Sequence, residues 1–257
     1  MTMDDDRRPD TVGDESTARV GRRASVLAIA TVTVALLTGC VPVISGPTPA
    51  PSRSDVSVAN GVRHTGPAPT AMSRRDGVET WDLTVPPSVE AFGIETDGAS
   101  PFVGAYSATA PGGRPVRFLL PGGREVRVTA TEVIFDALDN DEEMTDRSGE
   151  VTLPEGRLFH LDVHTVPVEG ATAGVAGYRD VLRQLDLPET SVGELEDKLA
   201  SADSINPVDA SEPIGAGVDV PKSGGLDFGM SSTFRPNDEP PLFALRLAGV
   251  WDAVPIP

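Results

Sequence analysis

The sequence is poor in several residue types, and each shortage excludes some structures or functions. Of its 257 residues only Cys40 is a cysteine, so no disulfide can form within one chain and the fold depends on its hydrophobic core. Two tryptophans and two tyrosines argue against an aromatic platform for stacking sugars. Lysine and arginine total 21 against 39 aspartates and glutamates, a net charge of −18. The chain therefore lacks the basic face that binding to nucleic acid requires.

A long hydrophobic run is also missing. The longest uncharged apolar stretch, residues 25–37, has 13 residues, and Arg19, Arg22 and Arg23 precede it. As a helix it would rise roughly 20 Å, against roughly 30 Å of hydrocarbon in a bilayer. A basic segment followed by a short apolar segment and small residues is typical of a secretory signal peptide. The alternative, a buried core helix at the start of the chain, leaves the three arginines unexplained.

The apolar stretch ends in Leu37-Thr38-Gly39-Cys40. This tetrapeptide resembles the lipobox of bacterial lipoproteins, in which a small residue precedes a cysteine that is acylated before the signal peptide is removed. The resemblance implies that residues 1–39 are the signal peptide and that Cys40 becomes the N-terminus with a diacylglyceryl group. Two acyl chains hold a protein stably on a membrane. We therefore expect a lipid-anchored protein on the outer face of the bacterial cytoplasmic membrane, with the Sec and twin-arginine export routes both open.

Composition divides the rest of the chain into two parts. Residues 40–75 contain six prolines among serine, threonine, glycine and alanine, with little apolar pattern. Such a segment buries too little surface to fold, so we predict a lipidated, disordered tether. Residues 76–257 are long enough for one hydrophobic core and are predicted to form a single domain.

Strand patterns dominate the first half of this domain. Residues 79–85 and 124–135 alternate between apolar and polar side chains, as strands with one buried face do. Two Pro-Gly-Gly tripeptides, residues 111–113 and 121–123, are predicted turns of an antiparallel meander. Residues 242–251 are apolar on both faces apart from Arg246, which is typical of a central strand.

Helical periodicity appears after residue 170. Apolar residues recur at intervals of three and four in two short segments: Val175, Tyr178, Val181, Leu182 and Leu185 in the first, Val192, Leu195 and Leu199 in the second. They predict an αα-hairpin that covers one face of the sheet. Residues 202–241 are rich in proline, glycine and acidic residues and are predicted to form a long loop. The predicted fold is a strand-dominated α+β domain, an antiparallel sheet or sandwich with an αα-hairpin.

Two segments are candidate metal sites. The first is His160-Leu161-Asp162-Val163-His164, in which a strand would project His160, Asp162 and His164 to the same side. Imidazoles and carboxylates are ligands of zinc and other transition metals. However, the outer two histidines would stand about 13 Å apart at Cα, too far for one ion. An ordinary solvated strand face is the simpler interpretation.

The second candidate is the acidic segment that begins at Asp139. Oxygen-bearing side chains fall at its first, third, fifth and seventh places, Asp139, Asp141, Glu143 and Thr145. Glu150 stands at the twelfth place, and the whole spacing looks like that of an EF-hand calcium loop. The sixth place, where that loop needs glycine, is Met144. The alternatives are an acidic surface loop or a calcium site outside the EF-hand family.

No catalytic signature accompanies these segments. The sequence has no Gly-x-Ser-x-Gly, Ser-x-x-Lys or His-Glu-x-x-His motif, no Walker loop and no dinucleotide-binding glycine pattern in a strand-turn-helix setting. We therefore favour a non-catalytic domain that binds an envelope protein or a small ligand, with no cofactor. A substrate-binding component of a transporter and an envelope hydrolase that uses carboxylates are the alternatives.

Overall fold

The computed structural model describes residues 57–59, 61–96, 101–202 and 213–257. These residues form fourteen strands and three helices. The strands are β1 (Ser57–Ala59), β2 (Val62–Thr65), β3 (Met72–Arg75), β4 (Val78–Asp82), β5 (Glu95–Thr96), β6 (Phe102–Leu119), β7 (Glu125–Asn140), β8 (Met144–Thr145), β9 (Val151–Leu153), β10 (Gly156–Thr165), β11 (Val168–Glu169), β12 (Gly217–Ser223), β13 (Leu226–Arg235) and β14 (Leu242–Trp251). The helices are α1 (Val89–Phe92), α2 (Ala171–Gln184) and α3 (Thr190–Ala202). The predicted strand-dominated α+β fold is confirmed.

Twelve of the strands belong to one sheet, and β8 and β9 pair separately as a short hairpin. The sheet runs in the order β1-β2-β6-β7-β10-β14-β13-β12, while β4 and β5 attach to β6, β3 attaches to β4, and β11 attaches to β14. Neighbours are antiparallel except β4 and β6, which run parallel among the described strands. As predicted, the final strand β14 is central, because it lies between β10 and β13.

The prediction of a turn at Pro111-Gly112-Gly113 was wrong. This tripeptide lies inside the 18-residue strand β6, where the pairing with β7 shifts between Thr109 and Arg114. The chain bulges there and continues in the same direction, because both halves of β6 still pair with β7. A side chain at Gly113 would meet Val166, since a Cβ there would lie 2.2 Å from its Cγ2. The second tripeptide, residues 121–123, is the predicted turn between β6 and β7.

The predicted long loop at residues 202–241 was also wrong in part. The described portion of this segment contains β12 and β13, which form an antiparallel hairpin. Gly224 and Gly225 connect them with φ angles of 57° and 78°, as a two-residue type I′ turn requires. Residues 203–212 lie outside the described residues.

Regular structure begins earlier than predicted. The segment 40–75 was expected to be a disordered tether, yet β1, β2 and β3 occupy parts of residues 57–75. They form because each pairs with a neighbour: β1 with β2, β2 with β6, and β3 with β4. Backbone pairing thus orders segments whose few apolar side chains gave no strand signal. Residues 40–56, including Cys40, lie outside the described residues.

The hydrophobic core contains a cluster of aromatic rings on one face of the sheet. Phe135 packs against Trp81 and Phe92 with ring centroids 4.5 Å apart in both pairs, and Phe92 lies 4.8 Å from Trp251. Trp81 and Leu83 are buried as the alternation of this segment predicted. Helix α1 brings Phe92 into the cluster, and its N-terminus is capped by Ser88 Oγ, which accepts from the Ala91 N–H at 3.0 Å.

The two longer helices form the predicted αα-hairpin. Tyr178 and Leu182 of α2 and Leu195 of α3 are fully buried. Helix α2 packs against β14, β13 and β7 and so covers one end of the sheet. In the part of the chain that the structure describes, none of the helices has the length and apolar character needed to cross a membrane.

Candidate functional site

A cleft of about 890 Å³ lies between helix α2 and the strands β3, β4, β6 and β7. Residues just after β10 and two side chains of β14 close one end of it. Its apolar lining residues include Val78, Val166, Val168, Val181, Phe243 and Leu245. Its polar lining residues are Ser73, Thr80, Thr129 and Thr165, which carry hydroxyl groups, and the charged residues Arg75, Asp76, Arg117, Arg127 and Asp180. A concave, largely apolar surface with few polar groups is what small-molecule sites share.

Helix α2 forms one wall because it approaches β14 very closely. At Gly174 a Cβ would lie 1.9 Å from Cγ of Phe243, so only glycine permits this contact. Gly177, one turn further on, has room, because a Cβ there would have its nearest neighbour at 4.0 Å, the Cδ1 of Leu245. The C-terminal end of α2 is fixed by Gln184, whose Oε1 accepts from the Arg127 backbone N–H at 2.6 Å.

The opposite wall carries a row of polar residues across four strands. Ser73 of β3 pairs with Thr80 of β4, Thr80 with Arg117 of β6, and Arg117 with Arg127 of β7. All four residues line the cleft. Directly paired residues project to the same face of a sheet, so two hydroxyls and two guanidinium groups share one row.

Glu125 bridges the two arginines of this row. Its Oε2 accepts from Arg117 Nε at 3.0 Å, and its Oε1 lies 2.9 Å from Arg127 Nη2. The hydrogen bonds from Arg117, helped by the charge of Arg127, lower the pKa of this carboxyl below its ordinary value. The side chains remain open to solvent, with 34% of Arg117, 39% of Glu125 and 62% of Arg127 exposed.

A buried ionic network supports this wall from behind. Glu79 is 1% exposed and lies between Val78 and Thr80, so its side chain points to the opposite face from the cleft. Arg114 binds it with two hydrogen bonds of 3.0 Å, and Trp81 Nε1 donates a third at 2.8 Å. Burial alone would raise the pKa of Glu79, but these bonds and the charge of Arg114 hold it below its ordinary value.

A fourth hydrogen bond reaches this carboxylate from Arg74 Nη2 at 3.1 Å, which joins β3 to the network. Next to it, His64 Nδ1 lies 2.7 Å from the hydroxyl of Tyr106. Burial lowers the pKa of His64 and raises that of Tyr106, so burial favours the uncharged form of both side chains. The bonds to Glu79 thus join β3, β4 and β6, and the His64–Tyr106 contact joins β2 to β6.

The first predicted metal segment has the predicted orientation but other partners. Phe159, Leu161 and Val163 are buried, and the other three residues share the opposite face of β10. Each is held by neighbours: His160 Nδ1 lies 2.8 Å from Asp136, and Asp162 accepts two hydrogen bonds from Arg246 at 2.6 and 2.8 Å.

His164 belongs to the same ionic group. Its Nε2 lies 3.3 Å from Oδ2 of Asp162, and this hydrogen bond raises the pKa of the imidazole above its ordinary value. Burial alone would raise the pKa of Asp162, but the bonds from His164 and Arg246 lower it. The arrangement is a network of ion pairs on the open face of the sheet.

The second predicted metal segment is divided between a strand and a loop. Asp139 lies in β7, where its two oxygens accept from Arg157 at 2.6 and 2.8 Å. Asp141 and Glu143 are exposed in the connection to β8. Met144, at the place of the required glycine, begins that strand. Within the described residues, no group of three His, Cys, Asp or Glu side chains could hold a metal ion.

Comparisons with protein-family models, curated proteins and solved structures found no match to this chain.

Two patterns in the sequence indicate residues of this site that the sequence predictions missed. Arg117 and Arg127 stand four residues before Pro121 and four after Gly123, so a hairpin turning at that tripeptide places them opposite each other. Glu79 is in phase with Trp81 and Leu83, which marks it as a carboxylate on the buried face of a strand. A buried carboxylate needs a cation, and that requirement predicts a partner such as Arg114.

Proposed function

We propose that this chain is a lipid-anchored protein on the outer face of the bacterial cytoplasmic membrane, held through Cys40. Its folded part is a non-catalytic binding domain that takes a small ligand with an apolar body into the cleft beside α2. The observation that carries the proposal is the cleft itself, which has a volume of about 890 Å³ and a concave, largely apolar surface. Small-ligand sites have volumes of about 300–1,000 Å³ and the same mixture of apolar lining and few polar groups.

The walls of the cleft suit a binding role. One wall is a strand face fixed from behind by the Glu79–Arg114 pair, and the other is a helix fixed by the Gly174 contact and by Gln184. A rigid, preformed cavity loses little conformational entropy when it takes up a ligand.

Two other functions find less support. A transporter's substrate-binding component would hold its ligand between two lobes, whereas the described residues from Ser57 onward form one compact unit. A carboxylate-based hydrolase needs a close pair of acids, one of them shielded from water, and the carboxylates that line the cleft, Asp76 and Asp180, are both exposed to solvent.

Filling the cleft tests the binding site. The full chain with Cys40→Ala, which cannot carry acyl chains, is titrated with the uncharged fluorescent probe N-phenyl-1-naphthylamine. Gly177→Leu should abolish binding, because its side chain extends into the cleft from a position with 4.0 Å of clearance. Gly193→Leu is the matched control, since it adds the same side chain to α3 at a position with no neighbour within 4 Å. Equal binding by the two variants would contradict the proposal.

Removing the thiol tests the anchor. In a bacterial host the wild-type chain should incorporate labelled palmitate and sediment with membranes. Cys40→Ala should remain unlabelled and either appear in the soluble fraction or persist as an uncut precursor. Palmitate labelling of the Cys40→Ala chain would overturn the lipoprotein assignment.

A further inference from the structure

We infer that the ligand of the cleft is an amphipathic anion, with an apolar body lying along α2 and an oxyanion head held by Arg117 and Arg127. This inference rests on the proposed function and adds the chemistry of the ligand. The polar row on the strand wall is the part of the cleft that an apolar ligand would leave unused.

The row concentrates cations where a sheet ordinarily avoids them. Arg117 and Arg127 are direct cross-strand partners, and like charges placed opposite each other destabilise a strand pair. The chain as a whole carries a charge of −18, so a pair of adjacent arginines beside an apolar cavity departs from its general character. Guanidinium groups bind carboxylate, sulfonate and phosphate oxygens through paired hydrogen bonds.

The neighbours of the arginines are suited to the same kind of head group. Thr80 is the partner of Arg117 on its other side, and Ser73 follows Thr80. Among the described residues, neither hydroxyl forms a side-chain hydrogen bond to another residue. Each can therefore donate to an oxyanion held in this row.

Glu125 takes the place that we assign to the ligand's head. Its carboxylate bridges the two guanidinium groups in the structure, although it is 39% exposed and lies outside the cleft lining. A bridge between exposed charges is weak and is easily exchanged for another anion. Glu125 thus acts as an internal competitor, which an anionic ligand displaces while the apolar body fills the cavity.

Two probes with the same aromatic body test this assignment. 1-Anilinonaphthalene-8-sulfonate carries a sulfonate, and N-phenyl-1-naphthylamine lacks it. We expect the Cys40→Ala chain to bind the anionic probe more tightly than the neutral one. Arg117→Gln and Arg127→Gln should each weaken binding of the anionic probe about tenfold, as loss of a charge-assisted hydrogen bond does, and leave the neutral probe unchanged.

Two further variants separate this effect from general electrostatics. Glu125→Gln should strengthen binding of the anionic probe several-fold, because it removes the competing carboxylate. Arg147→Gln changes the net charge by the same amount as Arg117→Gln and Arg127→Gln, but at an exposed loop residue, and should alter neither probe's affinity. Dodecanoate and dodecyl phosphate should displace the bound anionic probe more effectively than dodecanol, and the stronger of the two identifies the head group.

The outcomes distinguish the two proposals. If the neutral probe binds and Gly177→Leu blocks it, while the arginine variants bind the anionic probe like the wild type, the binding site stands and the anionic ligand is wrong. If dodecanol competes as well as the two anions, the same conclusion follows. If neither probe depends on Gly177, the cleft is not the site and both proposals fail.

Discussion

Two glycines one turn apart in α2 provide a quantitative test of how this helix packs. An alanine at position 174 would place its Cβ 1.9 Å from Cγ and 2.3 Å from Cδ2 of Phe243. An alanine at position 177 would have its nearest neighbour at 4.0 Å. The first contact is impossible without displacement of a ring that is 1% exposed, and the second is ordinary.

The size of the effect follows from the difference between the two variants. Both replace glycine by alanine inside the same helix, which favours the helix by about 0.8–1.0 kcal/mol in each case, so this gain cancels in the comparison. Overfilling a packed core costs about 1–3 kcal/mol. Gly174→Ala should therefore be about 1–3 kcal/mol less stable than Gly177→Ala, and Gly177→Ala should exceed the wild type.

Thermal and urea unfolding of the full chain with Cys40→Ala measure this difference. For a protein of this size each kcal/mol shifts the melting temperature by about 2–4 °C, so the two variants should melt about 2–12 °C apart. Far-UV circular dichroism confirms that both retain the helix. Equal stabilities, or a more stable Gly174→Ala, would refute the close approach of α2 to β14 that forms one wall of the cleft.

Three further predictions concern the ionic groups and the metal candidates. Glu79→Gln leaves the buried Arg114 without its counter-ion and should lower the free energy of unfolding in urea by about 3–5 kcal/mol. Glu125→Gln, which removes a carboxylate from an exposed bridge, should unfold near the wild-type midpoint. Similar losses of stability in the two variants would contradict the buried network. Since the folded pKa of His164 is raised above 6.5, its stabilising pairing with Asp162 is complete below pH 6.5 and is lost as pH rises through the folded value. Melting temperatures between pH 5.5 and 8.5 should therefore decline less for His164→Gln than for the wild type, and identical slopes would disprove the coupling. Micromolar calcium or zinc should leave the melting temperature unchanged, and a rise of several degrees would revive a metal site.

The acid dependence of stability has the opposite sign to that of His164. The folded pKa of Glu79 lies below its ordinary value of 4.5, so its contribution is complete above that pH and is lost as the solution becomes more acidic. The imidazole and the buried carboxylate thus limit stability from opposite ends of the pH range.

Side-chain periodicity was sufficient to predict much of the fold. The alternation around Trp81 and Leu83 and the three-and-four spacing of Val175, Tyr178 and Leu182 identified the elements that bury these residues. These signals are local, because a residue's exposure follows directly from its place in a strand or helix. The same holds for β14, whose two apolar faces predicted a central position.

The predictions that failed depended on pairing between distant segments. Pro111-Gly112-Gly113 has the composition of a turn, but pairing with β7 on both sides makes it a bulge. The strands β1 to β3 contain little apolar alternation and are ordered by their neighbours. By contrast, Gly224-Gly225 between two alternating segments was a readable hairpin signal that the acidic, proline-rich composition obscured.

The candidate site shows a similar division. The sequence singled out His160, Asp162 and Asp139, because clusters of ligand-type residues stand out along the chain. The structure pairs each with a cation or a carboxylate from another strand. The cleft could not be read from local patterns, because its walls come from segments about 100 residues apart, Ser73 to Thr80 on one side and Gly174 to Val181 on the other.

Hydrogen exchange of the full chain with Cys40→Ala, with and without 1-anilinonaphthalene-8-sulfonate, tests the central claim most directly. If the cleft is the binding site, the probe should slow exchange in α2 and in the facing parts of β4 and of residues 114–119, and should leave α3 and the β12–β13 hairpin unchanged. Gly177→Leu should abolish this protection. Protection confined to elements outside the cleft, or protection that persists in Gly177→Leu, would contradict the account.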